Sequence, residues 1–274
     1  RISPRPPRSP DRQARFEFVF ELTPVPTRLW RLQRPSPFDI SLPMNHPPHP
    51  KYLGRLCLAL VGFFLASLAS AQSAEALAGK RIAVLGDSIT QGWGGGFDGT
   101  PFNAAWQKHF GGLKAVNLGI GGDRMEHILW RLDHGALDGV SPKVIVLKIG
   151  VNNAPLIKAN GVPVSAAAQG IKLCVENLRL RCPQSQIIVV KILPAFDPSK
   201  DVGATVREVN VALDTLKLDA DPLVHVIDVG ADFTHADGKL KSELYSDKYL
   251  HLNLAGYEVF AAKLKIAVDS ALKR

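Results

Sequence analysis

Arg81-Ile82-Ala83-Val84-Leu85-Gly86-Asp87-Ser88-Ile89-Thr90 reads as a short buried strand that stops on a glycine and hands over to a helix. A continuous apolar run of this length, closed by a turn residue, is the pattern of a strand shielded on both sides. Ser88 therefore falls at a strand-to-helix junction. A serine hydroxyl is a poor nucleophile until a base takes its proton. A helix N-terminus adds free backbone N–H groups and positive potential for an oxyanion. Asp87 and Ser88 are also ordinary helix-capping residues, so the segment alone supports two readings. Its surroundings choose between them.

Working outward, four further apolar runs read as strands at 114–118, 143–149, 186–190 and 224–227. Helical spacing fills the intervals at 125–132, 164–181 and 202–218, and a last helix spans 255–272. Strands and helices alternating at this spacing predict an α/β fold with a parallel sheet covered on both faces. Lys148 stands out inside the third run, where a lysine must snorkel at an edge or find a carboxylate. The glycine-rich stretch 91–97, with Trp93 and Phe97, reads either as the lining of a substrate mouth or as a flexible connection. Gly119-Ile120-Gly121-Gly122-Asp123-Arg124 is not a dinucleotide fingerprint, because Arg124 occupies the place of its last glycine and no acidic residue closes a suitable following strand.

Ligands of such sheets sit outside the carboxyl ends of the strands. The chemistry-bearing residues gather there. Ser88 follows the first strand, Gly122 the second and Asn152 the third, while Asp247 and His251 follow the fifth. Acyl-transfer chemistry assigns each a role. His251 takes the Ser88 proton and returns it to the leaving alcohol, and Asp247 holds the imidazole in one tautomer. The backbone N–H groups of Ser88 and Gly122 and the Asn152 side chain form the oxyanion hole.

The segments Gly86-Asp87-Ser88-Ile89-Thr90, Asn117-Leu118-Gly119-Ile120-Gly121-Gly122-Asp123-Arg124, Gly150-Val151-Asn152-Asn153 and Leu250-His251-Leu252-Asn253 resemble the blocks of the SGNH (GDSL-type) hydrolases. The resemblance runs from about Lys80 to the C-terminus, and 119–132 and 144–153 look most like the platelet-activating-factor acetylhydrolase catalytic subunits and their bacterial secreted relatives. It implies a flavodoxin-like three-layer α/β/α sandwich with a five-stranded parallel sheet, and cofactor-free hydrolysis of short acyl, often acetyl, esters of carbohydrates or lipids. It also implies Ser88 as nucleophile, Gly122 and Asn152 in the oxyanion hole and His251 as base. This sequence departs from the family twice. Val151 replaces the usual threonine before Asn152, and Lys248 occupies the usual acid position three residues before His251. Asp247, four residues before, reaches the imidazole if the loop bulges by one residue; Asp228 is the fallback partner.

Composition divides the chain. Residues 1–50 hold 12 of the 20 prolines and no glycine, and no hydrophobic period survives there. The expectation is a disordered stretch over 1–43, translated upstream sequence before a start at Met44. From Met44 the basic Lys51 and Arg55 precede an apolar core at 56–68 and the small-residue site Ala69-Ser70-Ala71, which reads as a signal peptide over 44–71 with a secreted or periplasmic domain at 72–274. That apolar core is too short to span a bilayer comfortably. Residues 1–71 carry 10 of the 33 Lys+Arg and only 4 of the 25 Asp+Glu, so most of the formal +8 belongs to the leader and the remainder offers no nucleic-acid surface. Cys174 and Cys182, eight residues apart in one helical segment, are expected as free buried thiols, and neither cysteine spacing nor clustered histidines suggests a metal site. Two other readings stay open. One is an α/β-hydrolase, although Thr90 stands where its elbow motif needs a second glycine; the other is a non-catalytic binding protein on the same scaffold.

Overall fold

The computed structural model describes residues 81–96, 101–196, 202–247 and 249–274. The expectations for a leader, a start at Met44 and an upstream stretch fall on residues outside these. Five strands, β1 (Ile82–Gly86), β2 (Ala115–Gly119), β3 (Val144–Lys148), β4 (Gln186–Val190) and β5 (Val224–Ile227), form one sheet in the order β2-β1-β3-β4-β5. Every neighbouring pair is parallel. The helices are α1 (Ser88–Gln91), α2 (Ala104–Phe110), α3 (Met125–Asp133), α4 (Ala154–Ala159), α5 (Val164–Arg181), α6 (Val202–Thr215) and α7 (Leu254–Lys273).

Strand periodicity sorts the apolar residues into two cores. Ala83, Leu85, Ile145, Leu147, Ile187 and Val189 face α3, α5 and α6. Their neighbours Ile82, Val84, Val144, Val146, Ile188 and Val190 face α2 and α7. Because both faces are covered, the strands must be apolar throughout, which is why each reads as a continuous run and not as an alternation. The result is the three-layer α/β/α arrangement read from the sequence.

The chain crosses from β1 to β2 on one side and then passes to β3 on the other, so the order reverses around β1. That reversal opens a crevice at the carboxyl ends of the strands, the usual ligand position in such sheets. Ser88 lies at its edge.

The sequence reading missed two short helices, α2 and α4. Asn103 caps α2 by accepting the Trp106 N–H at 2.9 Å, and Pro155 occupies the first turn of α4, where a missing N–H is harmless. The helix expected over 202–218 also ends sooner than that. Helix α6 stops at Thr215, and a 3₁₀ turn at Leu218–Ala220 follows Lys217, which takes the left-handed conformation with φ 48°. Cys174 and Cys182 are free and buried, and burial pushes the Cys174 thiol up to about 12. No helix among the described residues is long and apolar enough to cross a membrane.

Candidate active site

The site begins with a close approach of backbones. Gly86, the last residue of β1, lies against Thr90 and the carbonyl of Lys148; a Cβ there would stand 2.2 Å from Thr90 Oγ1 and 2.3 Å from Lys148 O. Only glycine permits the strand to turn so tightly into α1. Asp87 caps that turn, its Oδ1 accepting the Ile89 N–H at 3.0 Å. Ser88 is then the first helical residue, so its own N–H has no intrahelical acceptor. Helix α1 is four residues long, a single turn. Any help to an oxyanion here comes from individual N–H groups rather than from the helix macrodipole anticipated in the sequence.

Beyond α1 the chain is tied down by Asn117, a buried polar residue within β2. Its Nδ2 donates to Thr90 O and Gly94 O, both at 2.8 Å, and its Oδ1 accepts the Gly119 N–H at 2.9 Å. The sequence reading assigned Asn117 no such role; an asparagine amid a strand's apolar run was the available signal. Trp93 does not line a mouth. It is fully buried among Trp106, Phe110, Tyr257 and Phe260, and so anchors the glycine-rich stretch to the core. Phe97 lies outside the described residues.

The loop after β2 presents Gly122 in the left-handed region, with φ 79°. Its Asp123 is buried and bridged to Arg131 at 2.8 Å. Burial outweighs that bridge and raises the Asp123 carboxyl above its ordinary value. Asn152, after β3, donates from Nδ2 to Asp123 O at 2.9 Å. That bond orients the amide while leaving its second hydrogen free to donate elsewhere. Gln91 Oε1 accepts the Gly121 N–H at 2.7 Å, which braces the same loop from α1.

His251 and Asp247 sit on a loop stapled at both ends. Tyr245 and Leu252 form an antiparallel bridge, and the Ser246 N–H donates to His251 O at 2.7 Å. Tyr245 also donates from its hydroxyl to Pro194 O at 2.7 Å, and the Phe196 N–H donates to Tyr249 O at 2.9 Å, so the exit of β4 holds the loop. Inside the staple the backbone curls around the Asp247 carboxylate. Oδ1 accepts N–H groups from Tyr249, Leu250 and His251 at 3.1, 2.8 and 3.1 Å, while Oδ2 stands 2.7 Å from His251 Nδ1. Burial pushes this carboxyl upward, but the ring of N–H donors and the imidazole together hold it below its ordinary value. With the Nδ1 proton directed at Asp247, Nε2 is left as an acceptor. Ser88 Oγ lies 3.1 Å from it.

The structure thus brings Ser88, His251 and Asp247 into one hydrogen-bonded line at the strand ends, with Asn152 held over the Asp123 carbonyl. Asp228 is elsewhere: its carboxylate accepts from the Gly230 N–H at 2.8 Å and from Lys191 Nζ at 3.2 Å. Lys248 lies outside the described residues. Lys148 has found a carboxylate, Asp87, at 3.0 Å. Among the described residues no group of three or more His, Cys, Asp or Glu side chains could hold a metal ion.

Residues 84–259 match the family described as the GDSL-like lipase/acylhydrolase family. The human platelet-activating factor acetylhydrolase IB subunit alpha1 is 35% identical over 152 residues, which cover 56% of this chain and 62% of that protein. The chain thus spans less than two thirds of the length of the curated relatives it matches. Solved structures share the fold. A GDSL-like lipase from Bacteroides thetaiotaomicron superposes with a TM-score of 0.57 at 19% identity, covering 70% of this chain and 89% of that one. An acetylxylan esterase from Geobacillus stearothermophilus gives 0.52 at 17% identity, covering 68% and 92%.

Proposed function

Because this chain belongs to the GDSL-like lipase/acylhydrolase family, we propose that it is a serine esterase that removes short acyl groups, acetyl foremost, from small-molecule esters. The observation that carries this reading is the hydrogen-bonded line from Ser88 Oγ through the His251 imidazole to Asp247.

In this mechanism His251 Nε2 takes the hydroxyl proton as Ser88 Oγ attacks the ester carbonyl. Asp247, fixed by three N–H groups of its own loop, orients the ring and balances the charge of the imidazolium. Negative charge develops on the former carbonyl oxygen. The Ser88 and Gly122 N–H groups and the second amide hydrogen of Asn152 are its donors. Collapse of the tetrahedral species passes the proton from His251 to the departing alcohol, leaving Ser88 acylated. Water activated by the same imidazole then releases the acid and restores the enzyme. No cofactor enters these steps.

The acetyl preference is supported by the 35%-identical relative named as a platelet-activating factor acetylhydrolase subunit. Lipid and carbohydrate acetates are the substrates to try. A secreted or periplasmic site of action rests on the basic flank, apolar core and Ala69-Ser70-Ala71 site that begin at Met44.

A series of p-nitrophenyl esters from acetate to octanoate tests the proposal. The expected result is highest kcat/KM on acetate, falling with acyl length. Absence of turnover across the series, with the protein folded, would leave a binding protein on a hydrolase scaffold.

A further inference from the structure

Lys148 and Asp87 form an ion pair that the mechanism above leaves unused. The ammonium stands 3.1 and 3.0 Å from the two carboxylate oxygens, and the side chains are 1% and 0% exposed. Lys148 ends β3 in register with Gly86, on the strand beside the one that leads into Ser88. Burial lowers the Lys148 ammonium below its ordinary value, with Asp87 opposing that shift.

A buried ion pair is weak evidence of a stability role, since apolar replacements of similar volume are often neutral. Its position suggests another use. Asp87 grips the Ile89 N–H through a charge-assisted bond, a stronger cap than a neutral side chain provides. That grip fixes the turn from which the Ser88 N–H projects. It also leaves a fully buried carboxylate one residue from the nucleophile, close to where an anion must form.

We propose that Lys148 acts through Asp87 as a positioning residue for ester hydrolysis: its ammonium cancels the carboxylate's charge, so that the oxyanion forms beside a neutral pair. The proposal rests on the esterase reading. Two other ionisable groups feel the charge of Asp87. Asp123, at the β2 exit, is bridged to Arg131, and the Tyr257 phenol of α7 is held by burial well above its ordinary value. Neither supplies a counter-charge to Asp87.

The sign of the charge left behind gives the test. Steady-state kinetics on p-nitrophenyl acetate are compared for wild type, Lys148→Met, Asp87→Asn and the double variant at about pH 9, well above the ordinary carboxyl range. Lys148→Met, which strands a negative charge, should lose about tenfold or more in kcat with little change in KM, the pattern of a contribution felt in the transition state. Asp87→Asn keeps a cap acceptor and strands no anion, so its loss in kcat should be several-fold smaller than that of Lys148→Met, the remainder reflecting the weaker cap and the unpaired ammonium. The double variant should stay within about threefold of wild type. A purely structural pair predicts equal losses in both single variants, and that result would overturn the proposal. So would a folded Lys148→Met enzyme with wild-type kcat. If Lys148→Met does not fold, the other two variants decide, and a tenfold loss in either rejects charge cancellation. A Ser88→Ala control separates the two levels: an active Ser88→Ala enzyme defeats the esterase mechanism, whereas an inactive one leaves the charge test to stand or fall alone.

Discussion

At the scale of single residues, the Asp247–His251 spacing shows why atoms matter more than offsets. The sequence places Asp247 four residues before His251, one more than the family habit. The extra residue is absorbed because Asp247 Oδ1 collects three successive N–H groups and pulls the backbone into a tight curl. Oδ2 is then delivered to Nδ1 at 2.7 Å. Asp247→Asn keeps the shape but can present an amide hydrogen to Nδ1, favouring the tautomer in which Nε2 is no acceptor. In that variant kcat is expected to fall by about 100-fold or more, measured on p-nitrophenyl acetate; a drop under threefold would make Ser88 and His251 a sufficient pair. Asn152 is held by a bond to Asp123 O. Asn152→Ala is expected to lower kcat by about 100-fold with KM nearly unchanged, as for other lost oxyanion donors. A normal kcat with raised KM would make Asn152 a ground-state contact instead.

At the scale of elements, the site depends on how closely β1 and β3 approach α1. Gly86 leaves no room for a methyl group against Thr90 and the Lys148 carbonyl, and one of those obstacles is backbone. Gly86→Ala should therefore cost about 1–3 kcal/mol as overpacking. Urea unfolding would report this as a lower midpoint at constant slope, accompanied by reduced kcat because Ser88 rides on the displaced turn. An unchanged midpoint would mean that the junction yields easily. The same packing explains what could be read in advance. Buried parallel strands must be apolar on both faces, so their residues announced themselves. The short α2 and α4 carry too few turns for a helical period to register, and their signals were local ones, the cap at Asn103 and Pro155 in a first turn.

At the scale of the whole molecule, the fold was legible because five apolar runs and the helices between them admit few arrangements besides a covered parallel sheet. The rim residues were legible because such a sheet gathers its strand ends in one place. What sequence could not supply was partnership across the fold. Nothing adjacent to Lys148 names Asp87, 61 residues away, and nothing adjacent to Trp93 marks it for the core when glycines surround it. Nor does the chain around Asn117 reveal that it tethers the loop beyond Ser88. All of these contacts serve one claim, that Ser88 is a nucleophile activated by His251 at 3.1 Å. The most direct test treats wild type and Ser88→Ala with a fluorophosphonate and locates the adduct by peptide mass spectrometry, alongside turnover of p-nitrophenyl acetate. The account predicts one adduct per wild-type chain on Ser88, no adduct in Ser88→Ala, and a loss of several orders of magnitude in turnover in that variant. Label on another residue, or substantial turnover by folded Ser88→Ala, would contradict it.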